Sequence, residues 1–164
     1  MLTHEYTPIS EEEYLRLEAQ SPVKHEYVNG EMFAMTGGTL RHNVIAGNVL
    51  AALRTHLRAT PCRAFINDVR VRVAKTNSYY YPDLLVSCAR GEQGMDLNAV
   101  TVDDPVLVVE VLSTRTEATD RREKLLAYRT LTSLSEYVLI SQDEARVLYH
   151  AGAVVASNYL VTLM

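Results

Sequence analysis

Apolar and polar positions recur along this chain with periods that change from segment to segment, and the changes predict its elements. Residues 8–20 form a short helix with Tyr14, Leu15 and Leu17 on its apolar side. Ser10 is its expected N-cap, with Glu13 three residues later in a capping box. Lys24–Val28 and Glu31–Met35 flank Asn29-Gly30, a dipeptide suited to a two-residue type I′ hairpin. Gly37-Gly38-Thr39 breaks the chain before a helix over 40–59. There Val44, Ile45, Val49, Leu50, Leu53 and Leu57 recur at helical spacing. Arg63–Asn67 leads into Asp68–Val73, which alternates apolar with basic residues as a half-exposed strand does. Tyr79–Ser87 and Pro105–Leu112 are predicted buried strands on either side of a loop over 89–104. A helix over 116–131 has Ala118, Leu125, Tyr128 and Leu131 as its inward stripe. A hairpin of 137–140 with 146–150 follows, and 154–161 can add an edge strand. The order predicts a mixed α/β fold in one domain over residues 1–164.

Composition narrows the function more than the fold. Twenty acidic against 16 basic residues leave a net charge of −4, which argues against a protein that merely coats nucleic acid. It leaves room for a metal-dependent nuclease, where the cation supplies positive charge at the phosphate. No apolar run is long enough to span a bilayer, and the N-terminus lacks a signal-like segment. A cytoplasmic protein with no membrane partner is therefore expected. Cys62 and Cys88, with no Cys-x-x-Cys spacing, are expected as reduced core thiols.

Two carboxylates interrupt this pattern. Asp83 follows Pro82 at the head of Leu84-Leu85-Val86, and Glu110 is embedded in the run Val106–Leu112. Burying such groups is costly without a cation or a donor. One reading is a magnesium site, with Asp83 and Glu110 as ligands and the backbone carbonyl of Val111 as a third. The other has Asp83 capping a turn and Glu110 paired with Arg70 or Arg72. Glu26 and Glu31 on the hairpin are either solvated or turned inward. His42 either caps the helix or serves the site. Tyr79-Tyr80-Tyr81 either stacks bases or alternates between core and surface.

Pro82-Asp83 followed by Glu110-Val111-Leu112 resembles the PD-(D/E)XK nuclease signature. The fuller set is similar to the Uma2 family of restriction-endonuclease-like proteins: Tyr-Pro-Asp-Leu, Val-Val-Glu-Val-Leu-Ser, Asp120 with Lys124 and Tyr128, and Glu136–Ile140. Glu26–Glu31 and His42-Asn43 carry the likeness into the first half. The resemblance implies a restriction-endonuclease-like core, a mixed central sheet flanked by helices, preceded by an N-terminal helix and hairpin. It implies Mg2+, or Mn2+ in its place, and catalysis by Asp83, Glu110 and a lysine. Leu112 stands where the superfamily lysine belongs, and the resemblance assigns that role to Lys124 on the following helix. Asp120, one turn before it, either joins the site or forms a surface pair with Lys124.

These residues support a metal-dependent endonuclease acting on DNA. Asp120, Glu31 and His42 are secondary candidates, and Arg70, Arg72, Arg115 and Arg122 are candidate phosphate contacts. A homodimer is the economical way to cut both strands. The rival readings are an inactive nuclease-fold protein that binds nucleic acid or a protein, and a hydrolase of a small phosphoester.

Overall fold

The computed structural model describes residues 7–91, 94–113 and 119–143, and the backbone of Val147–Ala151. The first helix, α1 (Glu11–Glu18), starts where expected, with the Ser10 hydroxyl accepting from the Glu13 N–H at 3.1 Å. It is followed by β1 (His25–Val28) and β2 (Glu31–Ala34), joined through Asn29 and Gly30 at φ 47° and 100°. Both residues are left-handed, as a type I′ turn requires. Helix α2 (Leu40–His56) is capped by Thr39, whose hydroxyl accepts from the His42 N–H.

The remaining strands are β3 (Cys62–Ile66), β4 (Arg70–Val73), β5 (Ser78–Tyr80), β6 (Leu84–Cys88), β7 (Thr101–Val102), β8 (Leu107–Leu112), β9 (Glu136–Ser141) and β10 (Val147–Ala151). They form two five-stranded sheets, β2-β1-β5-β4-β7 and β10-β9-β8-β6-β3. The second is the expected mixed central sheet, with β8 parallel to β9 and antiparallel to β6.

Several sequence expectations change here. The run Tyr79–Ser87 is two strands in different sheets, because Pro82 cannot donate to a ladder and the chain bends at Tyr81-Pro82-Asp83. Likewise β3 and β4 belong to different sheets, with Asn67 at φ 55° between them. The two crossings meet: the Asn67 N–H donates to the Asp83 carbonyl at 3.1 Å. The loop after β6 contains β7, which pairs in parallel with β4. The helix expected over 116–131 is present as a π-helical turn, Asp120–Lys124, running into α3 (Leu125–Tyr128). Residues 114–118 and 152–164 lie outside the described residues, and with them Arg115 and the expected last strand.

Cys62 and Cys88 are disulfide-bonded, not reduced as expected. Strands β3 and β6 pair antiparallel with these two residues directly opposite, a register that their 26-residue separation did not reveal.

Alternation along β8 decides what faces what. Val109 and Val111 pack with Ala46 of α2 on one side, while Val108 and Leu112 join Tyr80, Tyr128 and Tyr137 on the other. Glu110 shares the parity of Val108 and Leu112, so its carboxylate is directed toward the side on which the helix carrying Lys124 packs. No helix among the described residues is long and apolar enough to cross a membrane.

Candidate active site

The seam where the chain passes between the sheets opens into a pocket of about 600 Å³. Asp83, Glu110, Val111, Asp120, Lys124 and His42 all line it. They arrive from the bend before β6, from β8, from the π-helical turn and from the first turn of α2. The Val111 N–H donates to Asp83 Oδ2 at 2.7 Å, and His42 Nε2 lies 3.1 Å from the same oxygen. The Asp83 N–H points to Glu110 Oε2 at 3.4 Å, a long contact that sets the Glu110 carboxylate beside the Asp83 backbone.

Lys124 is the centre of the charge arrangement. Its ammonium is 2.8 Å from Glu26 Oε1, 3.2 Å from Glu110 Oε1 and 3.2 Å from Asp120 Oδ1. Its side chain is 6% exposed, and those of Glu110 and Asp120 are 5% and 2%. Asp120 and Lys124 therefore form a buried pair, not the surface pair that spacing alone allowed. Burial works against the ammonium, but Glu110, Glu26 and Asp120 together overcome it and hold Lys124 well above its ordinary value. Burial drives the Glu110 carboxyl well up, and Asp120, Asp83 and Glu26 add to that while Lys124 opposes it. Asp83 is also raised by burial, against the pull of the Val111 N–H and of His42 and Lys124. The cage favours the charged ammonium and disfavours ionisation of Glu110 and Asp83.

Other expected site residues lie elsewhere. Glu31 is exposed beside the hairpin turn, opposite Val28, and does not line the pocket. Arg70 is buried, with Nε donating to Thr101 and its guanidinium over the rings of Tyr14 and Tyr79. Arg72 pairs with Glu11, its Nε 2.8 Å from Oε1. Neither arginine lines the pocket, because α1 and the tyrosine cluster cover that part of the N-terminal sheet. Arg122 is exposed on the π-helical turn. Tyr79 and Tyr80 are core residues, while Tyr81 lines the pocket and donates its hydroxyl to Glu18.

The sequence reading left Glu26 undecided, and it is the partner nearest to Lys124. Tyr27 next to it is fully buried, which fixes Glu26 on the other face of β1. The Glu-Tyr-Val-Asn-Gly-Glu segment was the available signal. Lys24, Asn67 and Gln142 also line the pocket and had no such signal. Gly38 lies in the break before α2. A side chain there would meet His42 Nδ1 at 2.9 Å, so the glycine makes room for the imidazole beside Asp83.

Among the described residues, no group of three or more histidine, cysteine, aspartate or glutamate side chains stands in metal-ligating array. The donor set still suits a divalent cation. Four carboxylates, those of Glu26, Asp83, Glu110 and Asp120, face one ammonium and one imidazole. Two of them, with the Val111 carbonyl, match the few oxygen ligands that Mg2+ takes from protein.

Comparison with known proteins follows the same line. Residues 11–159 match the Uma2 family model, described as "Putative restriction endonuclease". The chain is similar to "Uncharacterized protein slr1290" of Synechocystis, 34% identical over 146 residues, 88% of this chain and 75% of the relative. It is 35% identical to "Uncharacterized protein sll1609" of the same organism over 135 residues, 82% of this chain and 76% of the relative. Its fold resembles a solved structure described as "a putative nuclease belonging to DUF820" from Anabaena variabilis, with a TM-score of 0.78 and 20% identity. That likeness covers 95% of this chain and 86% of the other.

Proposed function

The chain belongs to the Uma2 family, and from that membership and the seam pocket we propose that it is a divalent-metal-dependent nuclease, an endonuclease acting on DNA. The observation that carries this reading is the convergence of Asp83, Glu110 and Lys124 from three separate elements on one buried point. Asp83 and Glu110 would hold Mg2+ or Mn2+. The Val111 N–H already points at Asp83, and its carbonyl lies on the same side of the extended strand, where it would complete the protein's ligands. The bound ion would polarise the phosphodiester and lower the pKa of the attacking water.

The chain's own groups do the rest. His42 and the Val111 N–H fix the Asp83 carboxylate in one orientation. Lys124 brings a fixed positive charge to the pocket, where it offsets charge developing on the phosphate and orients the attacking water. It takes the place of the superfamily lysine, whose position is filled by Leu112, a core residue packed with Tyr128 and Tyr137. Among the described residues, the exposed Arg122 on the Lys124 turn and the pocket-lining Lys24, which is paired with Asp68, are cations that would contact the nucleic-acid backbone. A homodimer would present two such sites to the two strands.

Supercoiled plasmid tests the reading. The natural protein should nick it only with Mg2+ or Mn2+, and Asp83→Asn and Lys124→Ala should both lose the activity. Loss in Asp83→Asn alone would keep the metal site and remove Lys124 from the mechanism. The core position of Leu112 favours one rival, a nuclease-fold protein that binds without turnover. A folded natural protein that binds DNA and cleaves neither plasmid, RNA nor branched DNA would establish that rival.

A further inference from the structure

Glu110 and a divalent cation compete for the same partner. Among the described residues, Lys124 is the cation held by Glu110, and the lysine is buried, so it cannot retreat into water when a metal takes that carboxylate. An unpartnered buried ammonium would be costly. Something must keep it satisfied. Asp120, four residues earlier on the same helical segment, is one partner. The other comes from outside the central sheet.

We propose that Glu26 is the positioning residue that receives Lys124 when a divalent cation occupies Asp83 and Glu110, so that metal loading is an exchange of cations within one carboxylate cage. This rests on the nuclease reading and adds to it how the site accepts its metal.

Glu26 is built for that role. It sits on β1, in the N-terminal sheet, across the seam from β8. Its Oε1 is the oxygen nearest to the ammonium, at 2.8 Å. The same oxygen accepts the Tyr81 N–H at 3.2 Å, which anchors it to the bend that carries Asp83. One carboxylate therefore ties the lysine's end to the Tyr81 backbone, two residues before Asp83. A lysine placed two residues after Glu110 would be fixed by its strand. Lys124 lies beyond β8 on a π-helical turn, and a separate tether replaces the strand.

The exchange predicts opposite signs for its two ends. In Glu26→Gln the lysine keeps only Glu110 and Asp120, and the cage loses one negative charge. Both effects disfavour the metal. In Lys124→Met the competing cation is gone and the carboxylates are left unshielded, which favours it. Charge alone sets these signs for groups beside the metal, whereas a salt bridge out of reach of it would make both variants less stable and leave metal affinity alone.

The test is Mn2+ affinity by calorimetry on the full chain, with thermal unfolding recorded in the absence of metal. Glu26→Gln is expected to weaken Mn2+ binding about tenfold or more, and Lys124→Met to strengthen it by a similar factor. Glu31→Gln on the same hairpin should change nothing. If Lys124→Met does not fold, Lys124→Gln carries the same prediction, since it also lacks the charge. Unchanged or tighter binding in Glu26→Gln, or weaker binding in the folded lysine variant, overturns the exchange and leaves the nuclease reading standing. A natural protein that binds no Mn2+ overturns both.

Discussion

Arg72 meets one carboxylate and Lys124 meets three, and the two neighbourhoods follow different physics. On the N-terminal sheet the Arg72 guanidinium and Glu11 cancel each other at a partly exposed surface. The arginine and the Tyr79 hydroxyl hold the Glu11 carboxyl below its ordinary value. At the seam Glu26, Glu110 and Asp120 surround one ammonium, with Asp83 beside them, and burial lifts Glu110 well above its ordinary value. A balanced pair near the surface is a clasp of small worth. A buried surplus of one sign is destabilising, and such surpluses cluster where function maintains them. The difference separates the charges that hold α1 to its sheet from those gathered at the candidate site.

The largest effect that could break this comparison is on cleavage. Asp83→Asn should lower metal-dependent nicking by roughly 10³-fold or more, and Lys124→Ala by about 10²–10³. Glu11→Gln should leave it within about twofold. A comparable loss in Glu11→Gln would mean that the two neighbourhoods are not separate.

The far end of the central sheet sharpens the contrast on stability. The Cys62–Cys88 disulfide joins β3 to β6 at the end of the ladder away from Asp83. Cys62→Ser/Cys88→Ser should lose about 2–4 kcal/mol in denaturant titration, from the freed unfolded chain, with nicking per folded molecule unchanged. Chemistry lost along with the bond would tie that end of the sheet to the pocket.

A smaller effect carries opposite signs in the two regions. Glu11 has a lowered folded pKa, so its contribution is present above the ordinary carboxylate range and is lost as pH falls through the folded value. Glu110 has a raised one, so the metal-free protein is favoured while the carboxyl is neutral and loses stability as pH rises through the folded value. Unfolding followed from acid to neutral pH without metal should therefore separate two variants. Glu110→Gln should flatten the loss on the neutral side. Glu11→Gln should flatten the loss on the acid side, and its solvent-screened cost at neutral pH is only about 0–1 kcal/mol. Equal slopes in both variants would erase the distinction.

Much of this molecule was readable in the chain because local rules sufficed. The Ser10 cap, the Asn29-Gly30 turn and the apolar runs of β6 and β8 need only neighbours a few residues away. Asp83 and Glu110 stood out as charges in apolar runs, and the resemblance to the Uma2 pattern supplied Lys124. What escaped depends on register and layering. Alternation in Arg70–Val73 looked like a solvated face, yet α1 covers one basic position and the tyrosines the other. The cysteine pairing required knowing which residues of β3 and β6 are opposite. Glu26 looked like any strand glutamate until the hairpin was laid against β5.

Diffraction from crystals grown with Mn2+, with data collected at the manganese absorption edge, tests the central claim most directly. One anomalous peak is expected within ligand distance of Asp83, Glu110 and the Val111 carbonyl, with the Lys124 ammonium still against Glu26. A pocket without such a peak, in crystals of folded protein soaked at saturating manganese, would contradict it.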